Sequence, residues 1–274
     1  MPLDTLSTYS QTLLRQDGRR WNELRRITAS ISTQPASDGS SLLTMGNTMV
    51  VCTVTGPREG YFLRTAQSDV NAKRFHSRGR DNLNATVETE INLAPFAQMD
   101  RRRRNRNDKR TQELQTTISQ AFQSHLFAHL YPRSTISISL HVLSLDGALL
   151  VACLNAASLA LVDAGIPMPS ILAAISGGTI APADDSSARP EPILDLNLAE
   201  EQELPFLSLA TVAGNQGEED KVSVLIMESR ISIGGSNNKM ESMLATGVDG
   251  CSQVRNKMED VIRKHGTKIM QSRR

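Results

Sequence analysis

At 274 residues the chain can form one large domain or two small ones, with a core that needs no disulfide staples. Its formal net charge of +1 excludes a histone-like polycation. An aromatic content of 4% argues against the base-stacking platforms that dominate single-strand binders. Cys52, Cys153 and Cys251 are odd in number and far apart in sequence, without metal-ligand spacing, which fits a reducing compartment. The first residues hold no apolar signal core. No stretch approaches about 18 uncharged apolar residues, so neither secretion nor a membrane span is expected.

Residues 1–12 are polar and rich in Ser and Thr, and read as a flexible N-terminus. Ile27, Ala29 and Ile31 alternate at strand spacing. Ser41–Met45 and Thr48–Thr55 are apolar, β-branched runs joined by Gly46-Asn47, which predicts a hairpin. Residues 58–82 are polar without a clear period and read as a loop. Ala85, Val87, Thr89 and Ile91 alternate again and give another strand. A helix comes next with Leu114, Ile118, Ala121, Phe122 and Leu126 on one face, ending near Tyr131-Pro132. Ile136, Ile138, Leu140 and Val142 define a further strand, broken at Asp146-Gly147. Residues 148–164 are apolar nearly all round and predict a buried helix capped by Gly165.

The second half has a similar order. Strands are expected near 171–176, 193–198, 207–213 and 222–228, with a surface loop over 181–192. A last amphipathic helix is expected from about Asn237 to Lys264 through Met240, Leu244, Val248, Val254, Met258 and Ile262. Strands followed by helices, twice, predict an α+β domain with mixed sheets packed on helices.

Three features carry possible chemistry. Seven of the ten residues Arg101–Arg110 are Arg or Lys. Such a run is either a solvated loop or a phosphate-backbone contact with strong salt dependence. Lys109 and Arg110 open a helix, where exposed N–H groups favour anions. Two cations there oppose the helix dipole, a local conflict expected where function overrides stability.

Asp195-Leu196-Asn197 followed by Glu200-Glu201 places carboxylates at a strand end. Paired carboxylates hold Mg²⁺ or act as general acid and base, whereas an acidic turn simply caps the next element of the chain. The corner Asp146-Gly147-Ala148-Leu149-Leu150 has the shape of an anion cradle but lacks a hydroxyl or cation to complete one, so Leu149 and Leu150 read as core residues. His125 and His129 stand at i, i+4 without the Glu of a HExxH pattern, so no metal site is expected.

Taken together, Arg15-Gln16-Asp17-Gly18-Arg19-Arg20, Asp38-Gly39-Ser40, Met45-Gly46-Asn47-Thr48, Thr55-Gly56-Pro57-Arg58-Glu59, Tyr131-Pro132-Arg133, LALVDAGIP over 159–167 and ILDLN over 193–197 occur in a familiar order and spacing. The chain resembles RNase PH-type exoribonucleases over residues 13–265. Within that family it is most similar to the eukaryotic exosome-core subunit that corresponds to the catalytic RNase PH-like subunit of archaea. RRWNELRR over 19–26 is close to that subunit.

The resemblance implies an α+β, RNase PH-like fold (ribosomal protein S5 domain 2-like). Two βαβα-type halves would lie in one domain spanning 13–265, followed by a flexible basic C-terminus over 266–274. It implies a hetero-hexameric ring of RNase PH-like exosome subunits around a channel for single-stranded RNA, with S1/KH cap subunits and a separate hydrolytic exoribonuclease. It favours nucleus, nucleolus and cytoplasm, with no membrane and no cofactor.

The family's reaction is attack of inorganic phosphate on the 3′-terminal phosphodiester. Active members carry Gly-Ser-Arg or Gly-Thr-Arg where this chain has Ala148-Leu149-Leu150, so the phosphate clamp is absent. Asp195 matches the family's first carboxylate and Glu201 its second, which together read as vestigial. Lys109 and Arg110 match paired RNA-binding arginines, and Arg64 with Thr65 matches a channel-loop position. The expected role is a non-catalytic channel subunit. The competing expectations are an active phosphate-dependent 3′-to-5′ exoribonuclease using Asp195 and Glu201, and a protein-interaction module without an RNA role.

Overall fold

A computed structural model describes Tyr9 and residues 14–59, 84–101, 108–180, 191–214, 220–228 and 239–272. The first half contains strands β1 (Ile27–Ile31), β2 (Gly39–Met45), β3 (Thr48–Glu59) and β4 (Thr86–Leu93). Helix α1 (Lys109–His125), strand β5 (Ser134–Ser144) and helix α2 (Leu149–Asp163) complete it. The second half contains β6 (Leu172–Ile180), β7 (Glu191–Leu194), α3 (Leu198–Glu203), β8 (Phe206–Val212), β9 (Lys221–Glu228) and α4 (Lys239–Ser272).

The first sheet has the order β1-β2-β3-β5-β4, with β4 parallel to β5 and the other pairs antiparallel. The second is antiparallel in the order β7-β6-β8-β9. Each half is therefore a sheet with helices, as expected, although more strands precede the helix in each half than a plain βαβα order contains.

Helix α2 packs against β2 and β3 of one sheet and β6 of the other. That placement explains why every residue from Leu150 to Leu161 is buried and why the segment is apolar without a polar face. Its two central polar side chains bind the second sheet. Asn155 accepts from Ala174 N at 2.8 Å and donates to Ala174 O at 2.9 Å. Ser158 donates to Leu172 O at 2.8 Å. Burial of such groups is tolerated because each finds a partner. Helix α4 covers β6, β7 and β8. Arg255 ties α4 to β8 and the β8–β9 connection through Thr211 Oγ1 and Asp220 Oδ2, both at 2.8 Å.

Close packing at α2 requires glycine at the start of β2. A Cβ on Gly39 would collide with the Ala160 carbonyl oxygen and lie 2.5 Å from Ala164 N. Gly39→Ala is expected to destabilise the chain by about 1–3 kcal/mol through overpacking against backbone that cannot yield. Urea unfolding measures this, and an unchanged midpoint would refute the close approach.

Several boundaries differ from the sequence expectation. Helix α1 ends at His125 rather than near Tyr131-Pro132, because Leu126 turns extended and a short 3₁₀ turn, Ala128–Leu130, comes after it. Strand β7 stops at Leu194, and the acidic stretch beyond it forms the short helix α3. The last helix runs to Ser272, so 266–272, expected as a flexible tail, is helical. Among the described residues no helix is long and apolar enough to cross a membrane.

His125 closes α1 from inside: its Nε2 lies 2.6 Å from Ser170 O. Burial holds the imidazole below its ordinary value of 6.5, and the Ser170 carbonyl only partly offsets this. The neutral ring is the folded form. Stability is complete above about pH 6.5 and falls as the pH drops towards the folded-state value, because the unfolded chain takes up the proton first. Urea midpoints measured from about pH 7 to about pH 5 should fall less steeply in His125→Gln than in the parent chain.

Candidate functional site

The corner between β5 and α2 meets the β7–α3 connection, and the N-terminal segment holds them together. Gly147 has φ +76°, and a Cβ there would lie 2.7 Å from both Asn197 C and Leu198 N. Glycine is thus required both for the turn and for the close approach of the acidic segment. Ala148 continues the turn at φ 53°, ψ 40° and caps α2 without a side-chain hydrogen bond of its own. The Glu201 carboxylate fills that role: its Oε1 accepts from Ala148 N at 2.5 Å. A carboxylate at a helix N-terminus satisfies an orphan donor and complements the dipole.

Asp195 is fully buried, with φ 55°. Its carboxylate is enclosed by Arg25. Oδ2 accepts from Arg25 N at 2.8 Å, and Oδ1 accepts from Arg25 Nε at 2.9 Å and Nη2 at 2.7 Å. The remaining nitrogen, Nη1, donates to Asp146 O at 2.6 Å, so Arg25 bridges the acidic segment and the α2 corner. The Asp146 carboxylate reaches in the other direction, accepting from Asn47 Nδ2 at 3.0 Å and Leu198 N at 3.4 Å.

Two further arginines complete the clamp. Arg15 pairs with both oxygens of buried Glu200 and donates to Leu194 O and Asp195 O. Arg19 donates to Asp195 O at 3.1 Å, Asn197 Oδ1 at 3.2 Å and Asp17 Oδ2 at 2.9 Å. Burial and the neighbouring Arg15 charge pull Arg19 below its ordinary value. Burial raises the Asp17 carboxyl, but the Asn197 hydrogen bond and the Arg19 charge outweigh it and hold the group below the usual value. Buried charges persist only when paired and hydrogen-bonded in this way.

The structure brings Asp195, Glu201 and Ala148, which belong to two separate features of the sequence, to one corner. Leu150 is buried and Leu149 packs on the core at its edge, as expected of core side chains. Asp195 lies at the end of β7, as expected, and the left-handed turn there folds its carboxylate inward onto Arg25.

Lys109 and Arg110 lie elsewhere, at the start of α1, which packs on β4 at the far edge of the first sheet. Both are exposed. Asp108 is the N-cap: its carboxylate accepts from Arg110 N at 3.3 Å and Thr111 Oγ1 at 3.1 Å, supplying the negative charge that complements the positive N-terminus, which the two cations oppose. Arg64 and Thr65 lie outside the described residues, as do 102–107 of the basic run.

Sequence reasoning missed the roles of Arg15, Arg19, Arg25 and Asp108. Four arginines within eleven residues, 15–25, with Asp195 and Glu200 far downstream, were the available signal of charge complementarity.

The chain matches the family model described as "3′ exoribonuclease family, domain 1" over residues 23–167. It is 34% identical to the exosome complex component SKI6 of Saccharomyces cerevisiae, covering 97% of each chain. It is also 34% identical to the exosome complex component RRP41 homolog of Arabidopsis thaliana, covering 95% of this chain and 96% of that one. The solved structure of rice Rrp46 superposes with a TM-score of 0.68 at 26% identity, over 89% of this chain and 98% of that chain. With the two-sheet fold, the glycine corner and the acidic segment in place, these matches establish that the chain belongs to the RNase PH family.

Proposed function

We propose that the chain is a non-catalytic RNase PH-like subunit of an RNA exosome core ring, lining a channel for single-stranded RNA and scaffolding 3′-to-5′ processing and degradation. The observation that carries this reading is the occupied corner. Phosphorolysis needs cations and a hydroxyl to hold phosphate, and a carboxylate pair to act beside it. Here Leu149 and Leu150 stand at the clamp positions, Arg25 encloses Asp195, and Glu201 sits on the α2 N-terminus. Both carboxylates that such a reaction would use are thus engaged by groups of the chain itself.

The partners are the other RNase PH-like ring subunits, S1/KH cap subunits and a separate hydrolytic nuclease. Lys109 and Arg110, with Arg64 and Thr65, are the RNA contacts. No cofactor takes part, and the complex works in nucleus, nucleolus and cytoplasm. The likeness to named exosome components over nearly the whole chain supports this assignment.

The purified chain, alone and with its RNase PH-like ring neighbour, is incubated with single-stranded RNA, Mg²⁺ and inorganic phosphate. No release of nucleoside diphosphate is expected. Phosphate-dependent release that disappears in Glu201→Gln would overturn the non-catalytic reading.

A further inference from the structure

We propose that the free edge of β1, with the trough beside it, binds an extended acidic segment of a partner protein by strand addition. This inference is independent of the channel role.

β1 is the end strand of its sheet. Gly46 N donates to Arg26 O at 2.9 Å and Ser32 N donates to Ser40 O at 2.8 Å, which fixes the even-numbered residues as those bonded to β2. Alternation in an antiparallel pair then turns the N–H and C=O of Ile27, Ala29 and Ile31 outward. Among the described residues none of these groups meets a hydrogen-bond partner. An edge of this kind is a template for another strand.

A trough runs between this edge and α4. Its wider part, about 630 Å³, is lined by Arg20, Asn22, Arg26, Ile27, Gln253 and Lys257 among others. It continues past Ala29 to Met258, Val261 and Lys264 in a narrower part of about 210 Å³, the two parts sharing Ile27 and Lys257. Four cations therefore border one passage: Arg20, Arg26, Lys257 and Lys264, all exposed. Among the described residues none of the four has an ion pair.

The two acids in the lining are already engaged. Glu23 Oε2 accepts from Arg20 N at 3.0 Å, and Asp260 lies 3.7 Å from Arg263. Arg25 also lines the trough but is bound to Asp195. Four cations against two carboxylates leave the passage with surplus positive charge.

Outward backbone groups give affinity in strand addition, and alternating side chains read the floor. Ile27, Ala29, Met258 and Val261 supply an apolar floor, and the cations select acidic residues at alternate positions. A nucleic acid fits less well, because no aromatic side chain lines either part for a base to stack on.

The test uses the purified full chain and a fluorescent peptide of about eight residues alternating Val with Glu. Binding is read by anisotropy and by amide exchange. The expected result is saturable binding with slowed exchange at Ile27, Ala29 and Ile31. Arg26→Glu with Lys257→Glu should weaken it at least about tenfold, the consequence of reversing two rim charges. Ala29→Pro, which removes one outward donor and leaves the β2 bonds intact, should weaken it as well. Equal binding of a Val/Gln peptide, protection elsewhere than β1, or preferential seating of an oligouridylate probe in the trough would each overturn the proposal.

Discussion

Arg25→Met is expected to destabilise the chain by about 3–5 kcal/mol, the cost of leaving a buried charge without its partner. The side chain satisfies Asp195 Oδ1 twice and the Asp146 carbonyl once, so methionine strands two acceptors and leaves the Asp195 charge with only the backbone N–H of residue 25. Urea unfolding of the purified chain reads the loss as a lower midpoint at constant slope. Asp195→Asn should cost less, because the amide oxygen can still accept from Arg25 while the repelled amide nitrogen cannot. Arg25→Met combined with Asp195→Leu should recover much of the loss, since apolar replacement of both partners removes the stranded charge. If Arg25→Met unfolds at the parent midpoint, the clamp is not what holds the corner.

Lys109→Glu with Arg110→Glu, in the reconstituted ring, should weaken binding of single-stranded RNA by about ten- to a hundredfold at moderate salt. Each phosphate contact on a single strand contributes about 0.7 to the salt slope, so losing both should flatten a plot of log affinity against log salt by about 1.4. Uniform weakening across RNA sequences is expected, because phosphate contacts carry no base information. Asp108 anchors the first turn of α1 in the variant as in the parent, so the helix remains. Unchanged affinity and slope would remove these two residues from the RNA path and with them the channel reading.

Element types were legible where one periodicity dominated. The alternation of Ile27, Ala29 and Ile31 gave β1 at its observed bounds, and the uniformly apolar 148–164 segment gave α2 within a residue at each end. Gly46-Asn47 marked the β2–β3 hairpin, with Gly46 at φ 60°. Ends were less legible. α1 stops at His125, where Leu126 turns extended and the buried ring meets Ser170 O forty-five positions away, a contact that local propensity does not encode.

The same division holds at the site. Residue types at the corner were readable: two leucines after Gly147-Ala148, and the carboxylates of Asp195, Glu200 and Glu201. What those carboxylates do was not. Asp195 and Glu200 are matched to Arg25 and Arg15 across 170 and 185 positions, and Glu201 to the Ala148 N–H across 53. The sequence by itself determined the order of the elements, because that rests on local pattern, and its motifs carried the resemblance that pointed to the family. Only the tertiary structure decided that Asp195 is enclosed by Arg25, that Glu201 caps α2, and that the β1 edge lies open beside a basic trough. Burial removes water as a partner for a charge, so which distant group replaces it depends on how the sheets and helices pack.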